Sequence, residues 1–576
     1  MSGSERTYPG IPASPGLAIG EAFLFESASL EIPRYKAKDV TQELDRLQKA
    51  RERAALEIEG ILQSSTQIGL SEAAVFDAHK MFIEDPDLLE MVKTAVQNNL
   101  NAEAAWMDSI QVFAAALAQL PDPTLRARAA DVDDVGRRVL RHLLGQPEAQ
   151  LPSFARPVII IARDLAPSQT VRLDKHLILA FCTAAGGATS HTAILAKALG
   201  IPAVVGLGDL VLSLPGGTPL LVDGSQGVLI SHPQAETLAA FQDRVQGDRL
   251  SAARELEQAA NPSVTLDGHR VEVAANVGGL ADTLSALEFG AEGIGLLRTE
   301  FLFLGRTQAP DEDEQLAAYR TILEQMQDRP VTVRTLDAGG DKPIPYLDLG
   351  QEANPFLGVR AIRLCLQEPG LFKVQLRALL RAGAGHNLRI MFPMIATLEE
   401  VRRAKKLLSE ARNELESGGI PCCQDYQTGI MFEIPSVAWM AEEFARLVDF
   451  ISVGTNDLTQ YTFAAERNNE RVAYLGDACH PAILRQIRHV IQAGHQAGCW
   501  VGVCGELAGD PQAVPILLGL GLDEFSMTPA SIPHTKVILR SLNYQDAVGL
   551  AESALKLESA EAVRQYVDHT IARNRS

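Results

Sequence analysis

The chain has few cysteines, and none of them are spaced as a disulfide framework or a zinc site requires. Its 7 cysteines are an odd number scattered over 576 residues, apart from the adjacent Cys422 and Cys423. Small secreted scaffolds and zinc sites instead show paired cysteines at short, regular spacings. This use of cysteine predicts a reducing compartment, and we expect the protein to be cytoplasmic.

Long apolar runs and an excess of positive charge are also missing. No unbroken apolar run is long enough to cross a bilayer, and residues 1–10 carry no apolar export segment. Lysine and arginine total 52 against 72 aspartates and glutamates, which gives a formal net charge of -20 at pH 7. Such a chain repels nucleic acid and anionic membranes and attracts basic proteins. We therefore expect no nucleic-acid partner and no membrane partner.

The length and composition predict a folded enzyme of several domains. With 576 residues, of which 46% are hydrophobic and 22% charged, the chain can bury more than one sizeable core. Residues 12–25 indicate a turn that leads into a strand, and residues 39–145 carry helical signals typical of a bundle. Short apolar strands and a glycine-rich turn over 157–205 predict a compact α/β unit, and the polar residues 235–260 predict a linker helix.

Beyond residue 263 the chain repeats a short apolar strand followed by a helical segment. The candidate strands end at Asn276, Arg298, Arg334, Met394, Glu433, Asn456–Asp457 and Cys504–Glu506. Parallel βα units with functional side chains at the strand ends are typical of a (β/α)₈ barrel, whose active site lies at that face. The pattern shows seven of the eight strands, and we place the obscure fourth near residues 358–362. A doubly wound sheet is the competing architecture.

One histidine follows a glycine-rich turn at the start of a predicted helix. Gly186 and Gly187 come shortly before His191, and Thr189 and Ser190 add hydroxyl groups. Glycines let a backbone approach an anion, and the free N–H groups and positive dipole end of a helix N-terminus stabilise the charge. The segment therefore suits a phosphorylated imidazole. The alternative is that His191 only satisfies the start of the helix.

Four arginines would bring positive charge to the predicted barrel mouth of an otherwise acidic chain. They are Arg298, Arg334, Arg360 and Arg467. A guanidinium pairs bidentately with phosphate or carboxylate, so we expect a ligand that carries both groups. Surface salt bridging is the alternative for any single arginine, but Arg298 and Arg334 directly end apolar strands, where pairing in solvent is a poor explanation.

Two carboxylates and a cysteine end three further strands of the pattern. Glu433 and Asp457 suit magnesium, which prefers oxygen ligands and takes few of them from the protein. Capping of the following helices is the alternative for these acids. Cys504 lies where an apolar strand ends and a glycine follows. It is either a small buried hydrophobe or, if it faces a cation-rich cleft, a proton donor.

Six segments of the chain carry a resemblance to a known family. They are GGATSHTAI (186–194), AEGIGLLRTEFL (291–302), NPFLGVRAIR (354–363), RIMFPM (389–394), SVGTNDLTQ (452–460) and CGELAG (504–509). Together they resemble enzyme I of the bacterial sugar phosphotransferase system, the phosphoenolpyruvate-protein phosphotransferases. Most of these motifs are shared with pyruvate phosphate dikinase and phosphoenolpyruvate synthase. Those relatives carry a large ATP-binding domain before the histidine domain, where this chain offers only a helical bundle.

The resemblance implies a role for each candidate residue. His191 would carry the phosphoryl group, Thr170 would hydrogen-bond its ring, and Cys504 would protonate the enolpyruvate carbon. Arg360 would support the site, and Glu433 would be the first of two Mg²⁺ ligands. The residues expected to bind phosphoenolpyruvate are Arg298, Arg334, Asn456, Asp457 and Arg467, and Asp457 is also the second Mg²⁺ ligand.

The resemblance also implies a multidomain α/β architecture. A swivelling phosphohistidine α/β domain would be formed by residues 1–35 and 148–232. A helical domain that binds the phosphocarrier would be inserted at 36–147. Residues 233–262 would form the linker helix, and 263–576 a phosphoenolpyruvate-binding TIM barrel. The expected partners are phosphoenolpyruvate, a histidine phosphocarrier protein and a second copy of the chain, which would form a homodimer through the barrel.

Two positions depart from the family pattern, and three other functions remain open. Ala188 stands where enzyme I sequences often have arginine, and Ala184 where an acidic residue is common, so the sugar pathway is not defined. An ATP-dependent synthase or dikinase-like enzyme without its nucleotide domain would use the same histidine and barrel. A barrel lyase or aldolase would leave His191 unused. A regulatory phosphoprotein would bind ligand without turnover.

Overall fold

The structure is a computed structural model whose chain divides into two compact units, residues 1–250 and 251–576. Each unit is described by itself. The described residues are 4–25, 32–64, 81–118, 123–146, 154, 156–165, 177–187, 190–304, 306–340, 344, 346–347, 352–466 and 469–575. None of the helices in these ranges is both long and apolar enough to cross a membrane.

The first unit contains an eight-stranded sheet. Its strands are β1 (Arg6–Pro9), β2 (Ile11–Ser14), β3 (Leu17–Phe25), β4 (Val158–Ala162), β5 (Ile178–Thr183), β6 (Ala203–Val205), β7 (Pro219–Asp223) and β8 (Val228–Ser231). They lie in the order β1-β8-β7-β3-β4-β5-β6-β2, and the central strands β3 to β6 run parallel. Every residue of β4 is buried, as its continuous apolar sequence predicts for a strand covered on both faces.

Helices lie between β3 and β4 in the sequence and after β5 and β8. They are α1 (Val40–Ser64), α2 (Pro86–Gln97), α3 (Ala102–Ala118), α4 (Pro123–Leu144), α5 (His191–Leu199) and α6 (Ala235–Glu257). The first four share a core around the fully buried Trp106. Asp85 caps α2 by accepting from the backbone N–H groups of its first turn, with Pro86 at the start, as the sequence predicts. The proposed domain limits remain predictions.

The second unit is built on a closed barrel of eight parallel strands. They are β10 (Arg270–Val277), β11 (Ile294–Leu297), β12 (Val331–Arg334), β13 (Leu388–Phe392), β14 (Gln427–Phe432), β15 (Phe450–Val453), β16 (Trp500–Val503) and β17 (Glu524–Met527). The short β9 (Ser263–Val264) pairs antiparallel with β10. The barrel is closed because β10 pairs in parallel with both β11 and β17.

Helices follow the barrel strands and cover their outer side. They are α7 (Leu280–Glu288), α8 (Glu312–Met326), α9 (Ile362–Gln367), α10 (Pro369–Ala382), α11 (Leu398–Ser417), α12 (Ser436–Trp439), α13 (Ala441–Ala445), α14 (Thr455–Phe463), α15 (Pro481–Ala497), α16 (Val514–Gly519), α17 (Ile532–Ser541), α18 (Tyr544–Ala554) and α19 (Ala560–Arg575). The large apolar core lies between strands and helices. A smaller cluster that includes Met391, Met431 and Cys504 fills the interior of the barrel.

The predicted barrel is confirmed, but one of its strands was assigned wrongly. Residues 358–362 do not form a strand, because Arg360 makes only an isolated bridge with Gly339 and α9 begins at Ile362. The fourth strand is β13, whose end the pattern had already placed at Met394. The strand that the pattern missed is the eighth, β17, in which the polar Glu524 and Ser526 alternate with apolar residues and are nevertheless buried.

Candidate functional site

The candidate side chains meet at the carboxyl ends of the barrel strands. Because all eight strands run parallel, their carboxyl ends share one face of the barrel. Arg334 is the last residue of β12, while Glu433 and Cys504 directly follow β14 and β16. Asp457 lies in the first turn of α14, which begins shortly after β15. The structure therefore brings these four residues to one face of the barrel, and their roles there remain predictions.

Arg334 is buried between two carboxylates. Its guanidinium donates to Oε1 of Glu300 at 2.9 Å and lies 3.1 Å from Oδ2 of Asp337. Burial alone would lower the pKa of Arg334, but these two carboxylates raise it overall. The side chain is only 9% exposed, so its charge and orientation are fixed before any ligand arrives.

Arg360 shares one of these carboxylates with Arg334. Its Nε donates to Oδ1 of Asp337 at 2.9 Å, and its Nη2 donates to Oδ2 of the same group at 3.1 Å. On its other side it reaches the carboxylate of Asp457 at 3.3 Å and the hydroxyl of Tyr461 at 3.4 Å. Burial opposes the charge, but Asp337 and Asp457 together raise the pKa of Arg360. Asp337 therefore holds two arginines in a fixed relative position.

Glu433 is a buried carboxyl group that faces other acids. It is 1% exposed, and its Oε1 accepts a hydrogen bond from the backbone N–H of Met394. Met394 has a φ of 55°, a conformation that costs energy for a non-glycine residue and directs this N–H to the carboxylate. Burial, and then the charges of Asp457 and Asp337, raise the pKa of Glu433 to about 8.

The pair Glu433 and Asp457 fits a hard divalent cation. Two acids that repel one another in a buried site are stabilised when a cation lies between them, and Mg²⁺ prefers oxygen ligands. A Cβ on Gly454 would lie 3.2 Å from Oε2 of Glu433, so glycine at this position leaves the oxygen room. Within the described ranges no three His, Cys, Asp or Glu side chains form a metal cage. An ion held here would need further oxygens from a ligand or from water.

Cys504 is buried beside these charges. It is 5% exposed, and its Sγ lies 3.7 Å from the carbonyl oxygen of Val453. Burial raises the pKa of Cys504 to about 11, although the charge of Arg334 acts in the opposite direction. The side chain is therefore a thiol at neutral pH and can donate a proton. As predicted, it lies at a strand end. Its burial is also consistent with the alternative that it is a small hydrophobic side chain with a structural role.

Asn456 and Arg298 lie nearer to solvent. The amide of Asn456 donates to Oε1 of Glu506 at 3.1 Å and accepts from the backbone N–H of Glu506 at 3.4 Å. This exchange ties the loop after β15 to the loop after β16. Arg298 is exposed directly after β11 and forms no ion pair with any described residue, so its charge is available to a ligand.

Two predicted site residues lie outside the described residues. They are Arg467, which follows α14 in the sequence, and Thr170, which lies between β4 and β5 in the sequence. His191 is the first residue of α5, where the Ser190 hydroxyl accepts from the backbone N–H of Ala193 at 3.4 Å. This confirms the predicted helix start, and in the first unit Gly186 has a φ of 98°, which suits glycine.

Sequence reasoning missed the two acids that hold the arginines. Glu300 and Asp337 were not proposed, although each lies within three residues of a candidate arginine. Glu300 lies inside the quoted motif LLRTEFL, two residues after Arg298, and Asp337 follows Arg334 by three. Asp337 could have been recognised from its spacing after the buried strand-end Arg334, because an arginine buried without a carboxylate would be costly. Glu300 follows the exposed Arg298, and its contact with Arg334 has no such local signal.

Three family models match the chain. The model described as PEP-utilising enzyme, N-terminal, matches residues 9–128. The model described as PEP-utilising enzyme, mobile domain, matches residues 154–227. The model described as PEP-utilising enzyme, PEP-binding domain, matches residues 252–544, which include the barrel and its mouth.

Curated relatives match along nearly the whole chain. The phosphoenolpyruvate-protein phosphotransferase of Geobacillus stearothermophilus is 47% identical over 570 residues, which cover 99% of this chain and 99% of the relative. Proteins of the same name from Bacillus subtilis (strain 168) and Staphylococcus carnosus (strain TM300) are each 45% identical, cover 97% and 98% of this chain, and are themselves covered to 99%. The similarity therefore extends over both units.

Proposed function

This chain belongs to the phosphoenolpyruvate-protein phosphotransferase family, and we propose that it transfers the phosphoryl group of phosphoenolpyruvate to its own His191 and then to a histidine phosphocarrier protein. Pyruvate is released in the first step, which begins a sugar phosphotransferase system. The observation that carries the proposal is the meeting of buried arginines, paired carboxylates and a thiol at one barrel mouth. These are the groups that binding and protonating such a substrate requires.

The arginines bind the anionic groups of phosphoenolpyruvate. Arg334 already has a fixed orientation, and we propose that the exposed Arg298 acts with it. Arg467 is the third proposed binding arginine, and Asn456 and Asp457 are the further proposed binding residues. Glu433 and Asp457 would hold Mg²⁺, which would supply positive charge to the anionic substrate. Arg360 keeps Asp457 in place. Fixed positive groups of this kind stabilise the charge of a phosphoryl group in transfer, and His191 attacks in line.

Cys504 completes the first half-reaction. Loss of the phosphoryl group leaves the enolate of pyruvate, whose C3 carbon accepts a proton from the Cys504 thiol to give pyruvate. A thiol with a pKa of about 11 keeps its proton at neutral pH until such a strong carbon base is formed. Because a covalent phosphohistidine links the two half-reactions, the overall kinetics are ping-pong.

The second half-reaction needs a partner protein. The acidic chain, with a formal net charge of -20, favours a basic carrier through electrostatic steering. The helical segment 36–147 is the proposed docking domain, and the domain that carries His191 swivels between the barrel mouth and the carrier on hinges near 145–152 and 232–262. A cytoplasmic location follows for a protein that serves such a carrier.

A homodimer through the barrel is part of the proposal. Trp439 at the end of α12 is 88% exposed and the adjacent Met440 is 41% exposed. Large apolar side chains exposed side by side are typical of interaction surfaces. We expect Trp439→Glu to convert a dimer to a monomer in sedimentation equilibrium while the far-ultraviolet circular dichroism stays unchanged. A wild-type chain that sediments as a monomer would contradict this part of the proposal.

The function is tested by incubating the protein with radiolabelled phosphoenolpyruvate, Mg²⁺ and a purified histidine phosphocarrier. We expect pyruvate to form and the carrier to become labelled in equal amounts. An ATP-dependent synthase or dikinase would instead form phosphoenolpyruvate from pyruvate when ATP is added. A lyase or aldolase would neither label a protein nor form pyruvate from phosphoenolpyruvate.

A further inference from the structure

The interior of the barrel below Cys504 is lined by polar side chains. Glu524 and Ser526 of β17 are 2% and 0% exposed, and Ser452 of β15 is 1% exposed. Burying so many polar groups inside a barrel costs free energy unless they are partnered or used. The proposed function uses only the groups at the barrel mouth. It assigns no role to Glu524, which lies further inside the barrel.

Hydrogen bonds connect the polar interior residues nearest the mouth to Cys504. The Ser526 hydroxyl donates to Oδ1 of Asn276 at 2.7 Å, and Nδ2 of Asn276 donates to the backbone oxygen of Cys504 at 2.8 Å. The Ser452 hydroxyl lies beside the Cys504 thiol and acts to lower its pKa. The Ser526 hydroxyl is therefore connected through Asn276 to the backbone of Cys504, and the Ser452 hydroxyl lies beside its thiol.

Further from the mouth, the polar interior contains the buried carboxyl group of Glu524. Oε2 of Glu524 accepts from Arg389 at 2.9 Å, but Oε1 is buried and has no hydrogen-bond partner among the described residues. A Cβ on Gly295 would lie 2.6 Å from this Oε1 and 2.4 Å from the Ser526 hydroxyl oxygen. The unpartnered oxygen and the hydroxyl thus both pack directly against Gly295, and they lie close to one another.

Several charged side chains meet at this end of the barrel interior. The Arg389 guanidinium lies 2.9 Å from a carboxylate oxygen of Glu524 and 3.5 Å from one of Glu272, so it faces two carboxylates. Asp523 also faces Glu524. Glu272 in turn faces Glu292 and Arg270. Burial and the Glu272 charge raise the pKa of Glu524 to about 8, and burial raises that of Glu272. The Glu272 side chain is 30% exposed, which gives the pair access to solvent at the end of the barrel opposite the mouth.

We propose that Glu524 resupplies the proton that Cys504 gives to carbon in each turnover, through the hydroxyl-lined interior of the barrel. The proposal rests on the function proposed above. In each cycle the S–H bond of Cys504 breaks as a C–H bond forms. The thiolate then takes a proton from the Glu524 carboxyl by way of the intervening hydroxyl groups, and Glu524 takes one from solvent at the Glu272 end.

The direction of transfer follows from the two acidities. The pKa of the Cys504 thiol is about 11 and that of Glu524 about 8, so proton transfer from the carboxyl to the thiolate is downhill. Glu524 is still mostly protonated at neutral pH and loses this proton as the pH rises through 8. Multiple turnover should therefore slow above that pH.

The test compares Glu524→Gln with the wild-type full-length protein in rapid-quench pyruvate formation. The first turnover uses the proton already on Cys504, so the initial burst should match that of the wild type. Steady-state turnover with carrier should fall about tenfold or more, and the KM for phosphoenolpyruvate should fall with it, because binding and the first chemical step are unchanged. The wild-type kcat should decline as the pH rises through 8, whereas the variant should lack this inflection.

Two further variants separate proton supply from folding. Ser526→Ala removes a hydroxyl but leaves the hydrogen bond from Arg389 to Glu524 intact, and it should also keep the burst and slow later turnovers. Glu312→Gln breaks an ion pair with Arg377 and Arg381 on the outer side of the barrel and should change neither. Wild-type steady-state kinetics in Glu524→Gln, or equal slowing of burst and steady state, would overturn the route. A wild-type protein that forms no pyruvate would instead refute the proposed function itself.

Discussion

Cys504→Ser is expected to bind phosphoenolpyruvate normally and to lose nearly all pyruvate formation. Serine keeps a similar shape, but its hydroxyl is a far weaker acid than the thiol, whose pKa is about 11 in this site. Loss of a positioned proton donor lowers kcat by about 10²–10⁴-fold. The proposed binding groups Arg298, Arg334 and Arg467 are untouched, so the dissociation constant for phosphoenolpyruvate should remain that of the wild type.

The Cys504 prediction is checked by measuring pyruvate release and phosphoenolpyruvate binding on the same preparations. Cys422→Ser is a matched control, since this cysteine is partly exposed and lies before β14 at the opposite end of the strand from the mouth. Undiminished turnover of Cys504→Ser would remove this residue from the mechanism. Equal loss in Cys422→Ser would show that the effect is one of folding.

The second large effect is expected from Asp337→Asn. Asp337 is 1% exposed and bonds both Arg334 and Arg360, so the substitution leaves two buried guanidinium groups without their shared carboxylate. Breaking a buried ion pair by removing one partner costs about 3 kcal/mol or more of stability. The two arginines would also lose their fixed relative position, and we expect kcat/KM for phosphoenolpyruvate to fall about 100-fold.

Steady-state kinetics and thermal unfolding together check the Asp337 prediction. Asp313→Asn is the matched control, because Asp313 pairs with Arg381 through a side chain that is 82% exposed, where an ion pair contributes little. A kcat/KM for Asp337→Asn equal to that of the control would show that the arginines do not depend on this acid. If thermal unfolding shows that Asp337→Asn is folded at the assay temperature, a lower kcat/KM reflects lost positioning of the two arginines and not unfolding.

The barrel and most of its mouth could be predicted from the sequence because apolar strands that end in charged residues are a local pattern. Arg334, Glu433 and Cys504 each follow or end such a strand, and parallel strands necessarily bring those ends to one face. The same local rule failed for β17. Its Glu524 and Ser526 face the polar interior, so the strand lacks the apolar run by which the others were recognised.

The pairing of side chains could not be predicted, because it depends on loops that approach one another in space. Arg360 was first assigned to a strand, yet it lies in an irregular segment whose bridge to Gly339 brings it to Asp337. The contact between Asn456 and Glu506 likewise joins loops that are 50 residues apart. A single sequence contains no local signal for contacts of this range.

Radiolabel transfer to His191 tests the central claim most directly. The protein is incubated with radiolabelled phosphoenolpyruvate and Mg²⁺ without carrier, and both the bound label and the pyruvate released are counted. We expect about one acid-labile, base-stable label per chain, located in the peptide that contains His191, and an equal amount of pyruvate. His191→Ala should take up no such label, and undiminished labelling of that variant would contradict the account.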